Sequence, residues 1–310
     1  MQFLGVKWDN LSKKPFIKYK LSSNTGEELY YPLIYGQYLS LKVLNCKNCI
    51  GYHVPPAYMK ANCKYNVNLS NQPANQCSSC RFNDSTYFLP VDILSPTQIE
   101  MLKGLKHYNY INLFGDNLIK IGVVADSRKF TRLLEQGAIA TIIFSSGDGY
   151  SIRKIEDYIS RALNIKQSVN WKKKLSLLNK YASIDQAEIL LNDYYKGITG
   201  MLSKYYTGNF SLMKEFYFHK NLYSNTDELY NLQEIKYVEK ISPEDNVGGQ
   251  LIGVYGEVIF IKFEDIIIAV NSKALLGYTF EVNDSLPQKP NYSYTYLNTK
   301  PLDQINLQLF

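Results

Sequence analysis

The sequence lacks a long apolar run, a secretory leader and a large excess of charge of either sign. No segment of its 310 residues approaches the roughly eighteen consecutive apolar residues of a membrane-spanning helix, so we expect no membrane span and no membrane partner. The amino terminus shows no basic head followed by an apolar stretch and a small-residue cleavage site, so a cytoplasmic location is the default expectation. The net charge of +6 permits a polyanionic partner without requiring one.

Positive charge is concentrated in one segment of the chain. Between Ser151 and Tyr181, eight Lys or Arg residues stand against two acidic residues. Three of these lysines, residues 172–174, follow Trp171, and lysines beside an aromatic side chain suit a nucleic-acid backbone. The alternative is an ordinary solvated face, with Trp171 in the core.

Cysteine is scarce and confined to one short stretch, in the pattern CKNC…ANC…CSSC. Two Cys-x-x-Cys pairs in a chain without an export signal favour a metal site over disulfides, because each pair can direct two thiolates at one zinc ion. We predict a structural zinc site with the ligands Cys46, Cys49, Cys77 and Cys80. Cys63 is either spare or replaces one of them. The alternative is five reduced thiols without a metal.

The hydrophobic pattern predicts an α+β protein made of five parts. N-terminal strands lead into the cysteine zinc module, a small sheet flanked by helices lies in the centre, a helical segment follows, and a small β module with a tail ends the chain. In that order, the predicted parts are residues 1–44, 45–84, 85–171, 172–240 and 241–310.

The central part contains an apolar strand followed at once by a basic helix. The strand spans residues 119–124, and either Asp126 or Ser127 can cap the helix that follows it. Arg128 and Arg132 lie four residues apart on this helix, so both guanidinium groups share one side. Arginine pairs of this kind usually form a solvated basic face. The alternative is a phosphate contact for Arg128 as well as Arg132.

Five motifs in this order, behind a cysteine module, resemble a known family. They are HYNYIN (107–112), KIGVVA (120–125), TRLLEQGA (131–138), RKIEDYI (153–159) and SVNW (168–171). Together they are similar to the bacterial and archaeal family called domain of unknown function 2797. The order strand–turn–strand–helix–strand–helix also resembles the GIY-YIG endonuclease domain.

The resemblance implies a role for each matching residue. Tyr110 takes the place of the first-motif tyrosine, which orients or deprotonates a water, and Gly122 is the glycine of the second motif. Arg132 would contact phosphate, Glu156 would hold a catalytic Mg²⁺ or Mn²⁺, and Asn170 matches the late asparagine. A hydrated cation and a guanidinium group suit phosphodiester cleavage, because both offset charge on the phosphoryl oxygens.

The chain departs from the nuclease pattern at three places, one of which is the Val-Val-Ala sequence after KIG, where a threonine is common. The first motif lacks its usual glycine, and Lys120 stands where active nucleases typically have a tyrosine. Lys120 could lower the pKa of a nearby Tyr110, or it could mark a domain that binds phosphate without cutting. Simpler structural roles are also open, with Arg132 as the ion-pair partner of Glu156 and Asn170 as a helix cap.

Three functional hypotheses follow from these observations. The first is metal-dependent cleavage of nucleic acid, DNA or RNA, by a GIY-YIG-like domain that carries a structural zinc module. The second is a non-catalytic zinc-containing protein that binds nucleic acid or associates with ribonucleoprotein through a degenerate site. The third is a scaffold in which an Arg–Glu pair only stabilises the fold.

Overall fold

The computed structural model describes residues 1–21, 27–54, 59–70, 72–85, 89–180, 183–206, 208–232, 234–238, 240–282 and 294–298. In these ranges the strands are β1 (Gln2–Trp8), β2 (Pro15–Lys20), β3 (Glu28–Pro32), β4 (Tyr38–Lys47), β5 (Tyr52–Val54), β6 (Met59–Ala61), β7 (Lys106–Leu113), β8 (Ile119–Ala125), β9 (Ala140–Asp148), β10 (Phe210–Phe218), β11 (Glu234–Val238), β12 (Asn246–Tyr255), β13 (Val258–Phe263), β14 (Ile266–Asn271), β15 (Tyr278–Val282) and β16 (Tyr294–Asn298). The α-helices are α1 (Ser78–Ser85), α2 (Pro96–Lys103), α3 (Lys129–Glu135), α4 (Gly149–Leu163), α5 (Trp171–Leu175) and α6 (Ile184–Tyr205). The mixed α+β class predicted from the sequence is confirmed, and the tail beyond Asn298 lies outside the described residues.

Ten strands from both ends of the chain form one large sheet. Their order is β16-β11-β14-β13-β12-β4-β15-β1-β2-β3. The N-terminal strand β4 lies between two C-terminal strands and pairs antiparallel with β12, from Asn246 opposite Lys42 to Gln250 opposite Tyr38. The strands that the sequence assigned to two separate segments therefore share one sheet and one apolar core.

A second sheet of four strands lies in the centre of the chain, in the order β10-β9-β7-β8. β7 pairs antiparallel with both β8 and β9, α3 connects β8 to β9, and α4 follows β9. Ile152, Ile155 and Ile159 line one side of α4 and are fully buried in the core of this sheet. The predicted order of strands and helices in this region is confirmed, and the Asp148 side chain caps α4 by accepting the Ser151 N–H at 2.8 Å.

Two local predictions need correction. Neither Asp126 nor Ser127 caps the basic helix: a short 3-10 turn over Asp126–Arg128 precedes α3, and Asp126 accepts the Tyr108 hydroxyl instead at 2.5 Å. The segment 172–240 is not helical throughout, because β10 and β11 lie within it. The aromatic side chains of β10 belong to a strand that pairs along β9, and that long-range partner decides its conformation.

A membrane span is not found among the described helices, since none combines the necessary length with the necessary apolar character.

Candidate functional site

An open cavity of about 590 Å³ lies beside the central sheet. This cavity is lined by six residues that the sequence predicts as site residues: Tyr110, Lys120, Gly122, Arg128, Arg132 and Glu156. They come from β7, β8, the turn before α3, α3 itself and α4. Elements that follow one another along the chain therefore bring these residues to one place.

Tyr110 and Gly122 are cross-strand partners at the base of the cavity. The Tyr110 ring lies across the glycine so closely that a Cβ added to Gly122 would stand 2.4 Å from the phenol oxygen. Burial raises the pKa of Tyr110 to about 12, although the Arg132 guanidinium opposes this effect. The expectation that a lysine would lower this pKa is therefore wrong, and the phenol keeps its proton at neutral pH.

We expect Gly122→Ala to destabilise the fold by about 1–3 kcal/mol, because the new methyl group overlaps the buried Tyr110 ring and forces that ring to shift. Gly200→Ala is the matched control, since Gly200 lies within α6 and a Cβ there meets nothing within 4 Å. Alanine in an open helical position should stabilise by up to about 1 kcal/mol. Urea unfolding of the two variants should thus give shifts of opposite sign, and equal shifts would contradict the steric role of Gly122.

The two predicted arginines share a buried acid that the sequence analysis missed. The Glu135 carboxylate, whose side chain is 2% exposed, contacts Lys7 Nζ at 2.9 Å, Arg128 Nη2 at 2.7 Å and Arg132 Nη1 at 3.8 Å. Burial alone would raise the pKa of Glu135, but the three cations together hold it below the ordinary value. The spacing of Glu135 three residues after Arg132 was the local signal for this contact.

Glu156 lies beside the isoleucine side of α4 and lines the cavity. Among the described residues no Lys, Arg or His nitrogen lies within 4.0 Å of its carboxylate, so Arg132 pairs with Glu135 and not with Glu156. Burial raises the pKa of Glu156 to about 7, and the nearby Lys120 opposes the shift. At neutral pH this carboxyl group is divided between its protonated and ionised forms.

Lys120 is buried on β8, with 6% of the residue exposed. Its Nζ donates to Gln136 Oε1 at 2.6 Å and lies 5.8 Å from the centre of the Tyr110 ring. Burial, together with the smaller effects of the cationic Arg132 and Lys174, lowers the pKa of Lys120 to about 7. The cavity thus holds an amine and a carboxyl group that both titrate near neutrality.

Asn170 does not share this cavity and instead caps α5 by accepting the Lys172 N–H at 2.8 Å. It lines a separate cavity of about 250 Å³ together with Trp171, whose ring packs edge-on against Tyr237. Lys172 Nζ bonds to the Tyr237 hydroxyl at 3.0 Å, and Lys174 Nζ bonds to a backbone carbonyl at 2.6 Å. These two lysines are therefore tied to protein groups.

The cavity also contains residues that were not predicted as site residues. These are Lys7, His53, His107, Val123, Val124, Ala125, Glu135, Arg153, Gln167, Glu257 and Lys273. Several come from distant parts of the chain, and their presence depends on tertiary packing. His53 comes from the cysteine-rich module, so this module forms part of the wall.

Four of the five cysteines form a cluster that could hold a metal ion such as zinc. The Sγ atoms of Cys49, Cys63, Cys77 and Cys80 all lie within 4.8 Å of one another. Zn–S bonds of about 2.3 Å in a tetrahedron place sulfur atoms about 3.8 Å apart. The Sγ atoms of Cys63 and Cys77 are 3.8 Å apart, which fits such a site.

The ligand set predicted from the sequence is corrected at one position: Cys63 belongs to the cluster and Cys46 does not. Strand β4 continues through Cys46 to Lys47, so the first Cys-x-x-Cys motif begins in extended chain and does not form the expected turn. Cys77 directly precedes α1 and Cys80 lies in its first turn, so the second motif has the geometry that the first one lacks.

The same module holds His53 at the cavity wall. Asp84, on α1, accepts the His53 backbone N–H at 2.6 Å, and its carboxylate lies 3.3 Å from Nδ1 of the imidazole ring. Cys80 lies one turn earlier on the same helix. The cysteine cluster and the cavity wall are therefore linked through one short helix.

Comparison with known families places the chain in a group without an assigned activity. A family model described as a protein of unknown function (DUF2797) matches residues 36–280, which is more than half of the chain. Comparison with curated proteins and with solved structures gives no significant match. The matched range includes the four clustered cysteines and all six cavity residues predicted from the sequence. The chain belongs to the DUF2797 family of proteins of unknown function.

Proposed function

We propose that the 590 Å³ cavity binds a phosphodiester of nucleic acid and cleaves it with the help of a divalent cation at Glu156. The observation that carries the proposal is the meeting of Tyr110, Arg132 and Glu156, from three neighbouring elements, in one open cavity. The order β7, β8, α3, β9, α4 supports the likeness to the GIY-YIG domain.

The charge of the lining suits an anionic ligand. Six basic side chains stand against three carboxylates: Lys7, Lys120, Arg128, Arg132, Arg153 and Lys273 against Glu135, Glu156 and Glu257. Glu135 contacts Arg128 through one carboxylate oxygen and fixes the orientation of the guanidinium groups. Each guanidinium has five N–H donors, so donors remain for phosphate oxygens.

Glu156 fits a Mg²⁺ or Mn²⁺ ion because its half-buried carboxylate has no cationic partner within 4.0 Å among the described residues. Mg²⁺ is commonly held by one or two carboxylates together with waters and substrate phosphate. Such an ion would offset negative charge on the phosphoryl oxygens and favour the ionised form of Glu156. The other two carboxylates of the cavity are engaged by cationic side chains, Glu135 by Lys7, Arg128 and Arg132 and Glu257 by Lys273. Glu156 is therefore the carboxylate of this cavity that is left to bind a cation.

The high pKa of Tyr110 defines its part in the reaction. A phenol with a pKa of about 12 is a hydrogen-bond donor at neutral pH and not a base. Tyr110 would therefore orient the attacking water or a phosphate oxygen, and Arg132 would stabilise the charge that develops on the phosphoryl group. The cysteine cluster would hold zinc in a structural role, because four thiolate ligands leave no open coordination position.

A nicking assay on plasmid DNA and on structured RNA, with Mg²⁺ or Mn²⁺ added, tests the proposal. Glu156→Gln should reduce cleavage by about a hundredfold or more, because the cation loses the one cavity carboxylate that no cationic side chain engages among the described residues. Asp157→Asn is the matched control: it lies next along α4, does not line the cavity and bonds to Gln167. Cleavage that survives Glu156→Gln, or falls equally in both variants, would contradict the assignment.

A second candidate function is binding without cleavage. It is favoured by Lys120 at the position of the expected tyrosine and by the firmly protonated Tyr110. In that case the chain should bind nucleic acid with an affinity that falls steeply with salt, and no nicking should occur with either metal. Arg132→Ala should then weaken binding, whereas Glu156→Gln should not.

A further inference from the structure

We propose that Lys120 is a nucleophilic amine that forms an imine with the aldehyde of a phosphorylated sugar bound in the cavity. This activity goes beyond metal-dependent cleavage. It shares with the proposed function only the binding of phosphate by the cavity.

The surroundings of Lys120 disfavour its ammonium form. The residue is 6% exposed, and among the described residues no carboxylate oxygen lies within 4.0 Å of its Nζ. The hydrogen-bond partner at 2.6 Å is the neutral amide oxygen of Gln136. A buried ammonium without a carboxylate partner is costly, and the amine escapes that cost by releasing its proton.

The charged groups around Lys120 act mostly in the same direction. Arg132, Lys174 and Lys273 all lower its pKa, and Glu156 is the acid that opposes them. With burial as the largest cause, the pKa of Lys120 falls to about 7. A large fraction of the side chain is thus a neutral amine at physiological pH, which is the form that attacks a carbonyl carbon.

The other lysines that line the same cavity lack these properties. Lys7 bonds to Glu135 at 2.9 Å, and Lys273 bonds to Glu257 at 2.8 Å with 62% of its side chain exposed. Both therefore have a carboxylate partner, which Lys120 lacks. Lys120 is the lysine of this cavity that combines burial, an uncharged partner and access to a bound ligand.

The chemical step needs no external oxidant or reductant. The Nζ lone pair attacks the aldehyde carbon, a proton passes from nitrogen to oxygen, and water leaves as the C=N bond forms. With the aldehyde of an abasic deoxyribose, loss of a C2′ proton then supplies the electron pair for a new C=C bond. The C3′–O bond breaks, the 3′ phosphate leaves, and water hydrolyses the imine to restore Lys120. Glu156 lines the same cavity and is the available group to accept the C2′ proton.

The shared chemistry is an aldehyde on a sugar that carries phosphate. It has two sources: an abasic site within a nucleic acid and a free sugar phosphate. Arg128, Arg132 and Arg153 line the cavity and can hold the phosphate of either. Only the nucleic-acid source yields strand cleavage.

Reductive trapping tests the inference on the full chain. The protein is incubated with sodium cyanoborohydride, without added divalent metal, together with either an oligonucleotide that contains one abasic site or glyceraldehyde 3-phosphate. Peptide mass mapping then locates the reduced adduct. We expect at least about tenfold more adduct on Lys120 than on any other lysine, because exposed lysines stay protonated. Lys120→Arg, which keeps a cation, should remove this adduct, whereas Lys103→Arg, the control at a lysine that does not line the cavity and pairs with Glu100, should not.

Each outcome decides between the possibilities. Adduct on Lys120 with the oligonucleotide supports the inference with nucleic acid as the source, and adduct with glyceraldehyde 3-phosphate alone supports it with a free sugar phosphate. Adduct spread evenly over exposed lysines, or none on Lys120, overturns it. Mapping on the unaltered chain gives this answer even if Lys120→Arg does not fold. Metal-dependent nicking without an adduct on Lys120 would contradict this inference and support the proposed function. An adduct on Lys120 without metal-dependent nicking would support this inference and contradict the proposed function.

Discussion

Cys77→Ser is expected to remove the metal from the protein and to unfold the cysteine-rich module. Elemental analysis should find about one zinc per unaltered chain and none in the variant, because Cys77 is one of four thiols that could surround a single ion. Structural zinc contributes an apparent binding free energy of roughly 10–16 kcal/mol in small zinc-binding peptides at neutral pH, and folding of a module with little core of its own depends on it. The apolar cluster of this module consists largely of the cysteines themselves.

Cys46→Ser is the matched control, because Cys46 lies outside the cluster on β4. This variant should keep its zinc and its melting temperature. Zinc retained in Cys77→Ser, or lost equally in both variants, would contradict the corrected ligand set. Since His53 is held by Asp84 on α1, the loss of metal should also weaken oligonucleotide binding, which fluorescence anisotropy can measure.

Glu135→Gln is expected to lower the free energy of unfolding by about 3 kcal/mol at pH 7. The substitution leaves Lys7, Arg128 and Arg132 facing one another around a buried amide, and breaking a buried ion pair typically costs about 3–5 kcal/mol. We expect the lower end of that range because the three cationic side chains are 33–40% exposed and partly screened by water.

The pH dependence of this effect has a definite sign. Because the pKa of Glu135 is depressed in the folded state, its stabilisation is fully present above the ordinary carboxyl pKa of 4.5 and is lost as the pH falls through the lowered value. The difference between the unaltered chain and Glu135→Gln in urea unfolding should therefore shrink below pH 4.5. Glu257→Gln, which removes a more exposed carboxylate paired with Lys273 alone, should cost less than about 1 kcal/mol. Equal decreases in the free energy of unfolding in the two variants would show that the contact of Glu135 with three cations stabilises the fold no more than a single exposed ion pair does.

Local patterns were sufficient to predict three strands of the central sheet, β7, β8 and β9, and the two helices α3 and α4. The strand over 119–124, the glycine that ends α3 and the isoleucine spacing of α4 all depend on neighbours within a few residues. The positive φ of +65° at Gly137 shows the left-handed turn that this glycine makes possible. Motif order selected five residues that share one cavity, and the arginine spacing added Arg128. Motif order also selected Asn170, which lies outside this cavity. Their catalytic roles, and the likeness to the GIY-YIG domain, remain predictions.

Contacts between distant residues could not be predicted in this way. Glu135 owes its burial partly to Lys7, which lies 128 positions earlier and belongs to another sheet. Cys63 and not Cys46 belongs to the cluster because β4 continues as far as Lys47. The spacing of the cysteines does not indicate where this strand ends. The local pattern of β10 indicated part of a helical segment. Its pairing with β9, a distant strand, outweighs that pattern and makes it a strand.

The position of β4 has a consequence for the order in which the chain can assemble. Both neighbours of this strand, β12 and β15, are synthesised about 200 residues after it, whereas β7, β8 and β9 follow one another closely. Contacts between nearby residues close small loops and form early, and those between remote residues form slowly. During synthesis, the backbone edges of β4 therefore stay unpaired until nearly the whole polypeptide has emerged from the ribosome. In this interval the nascent chain is exposed to association with other strands and to binding by a chaperone.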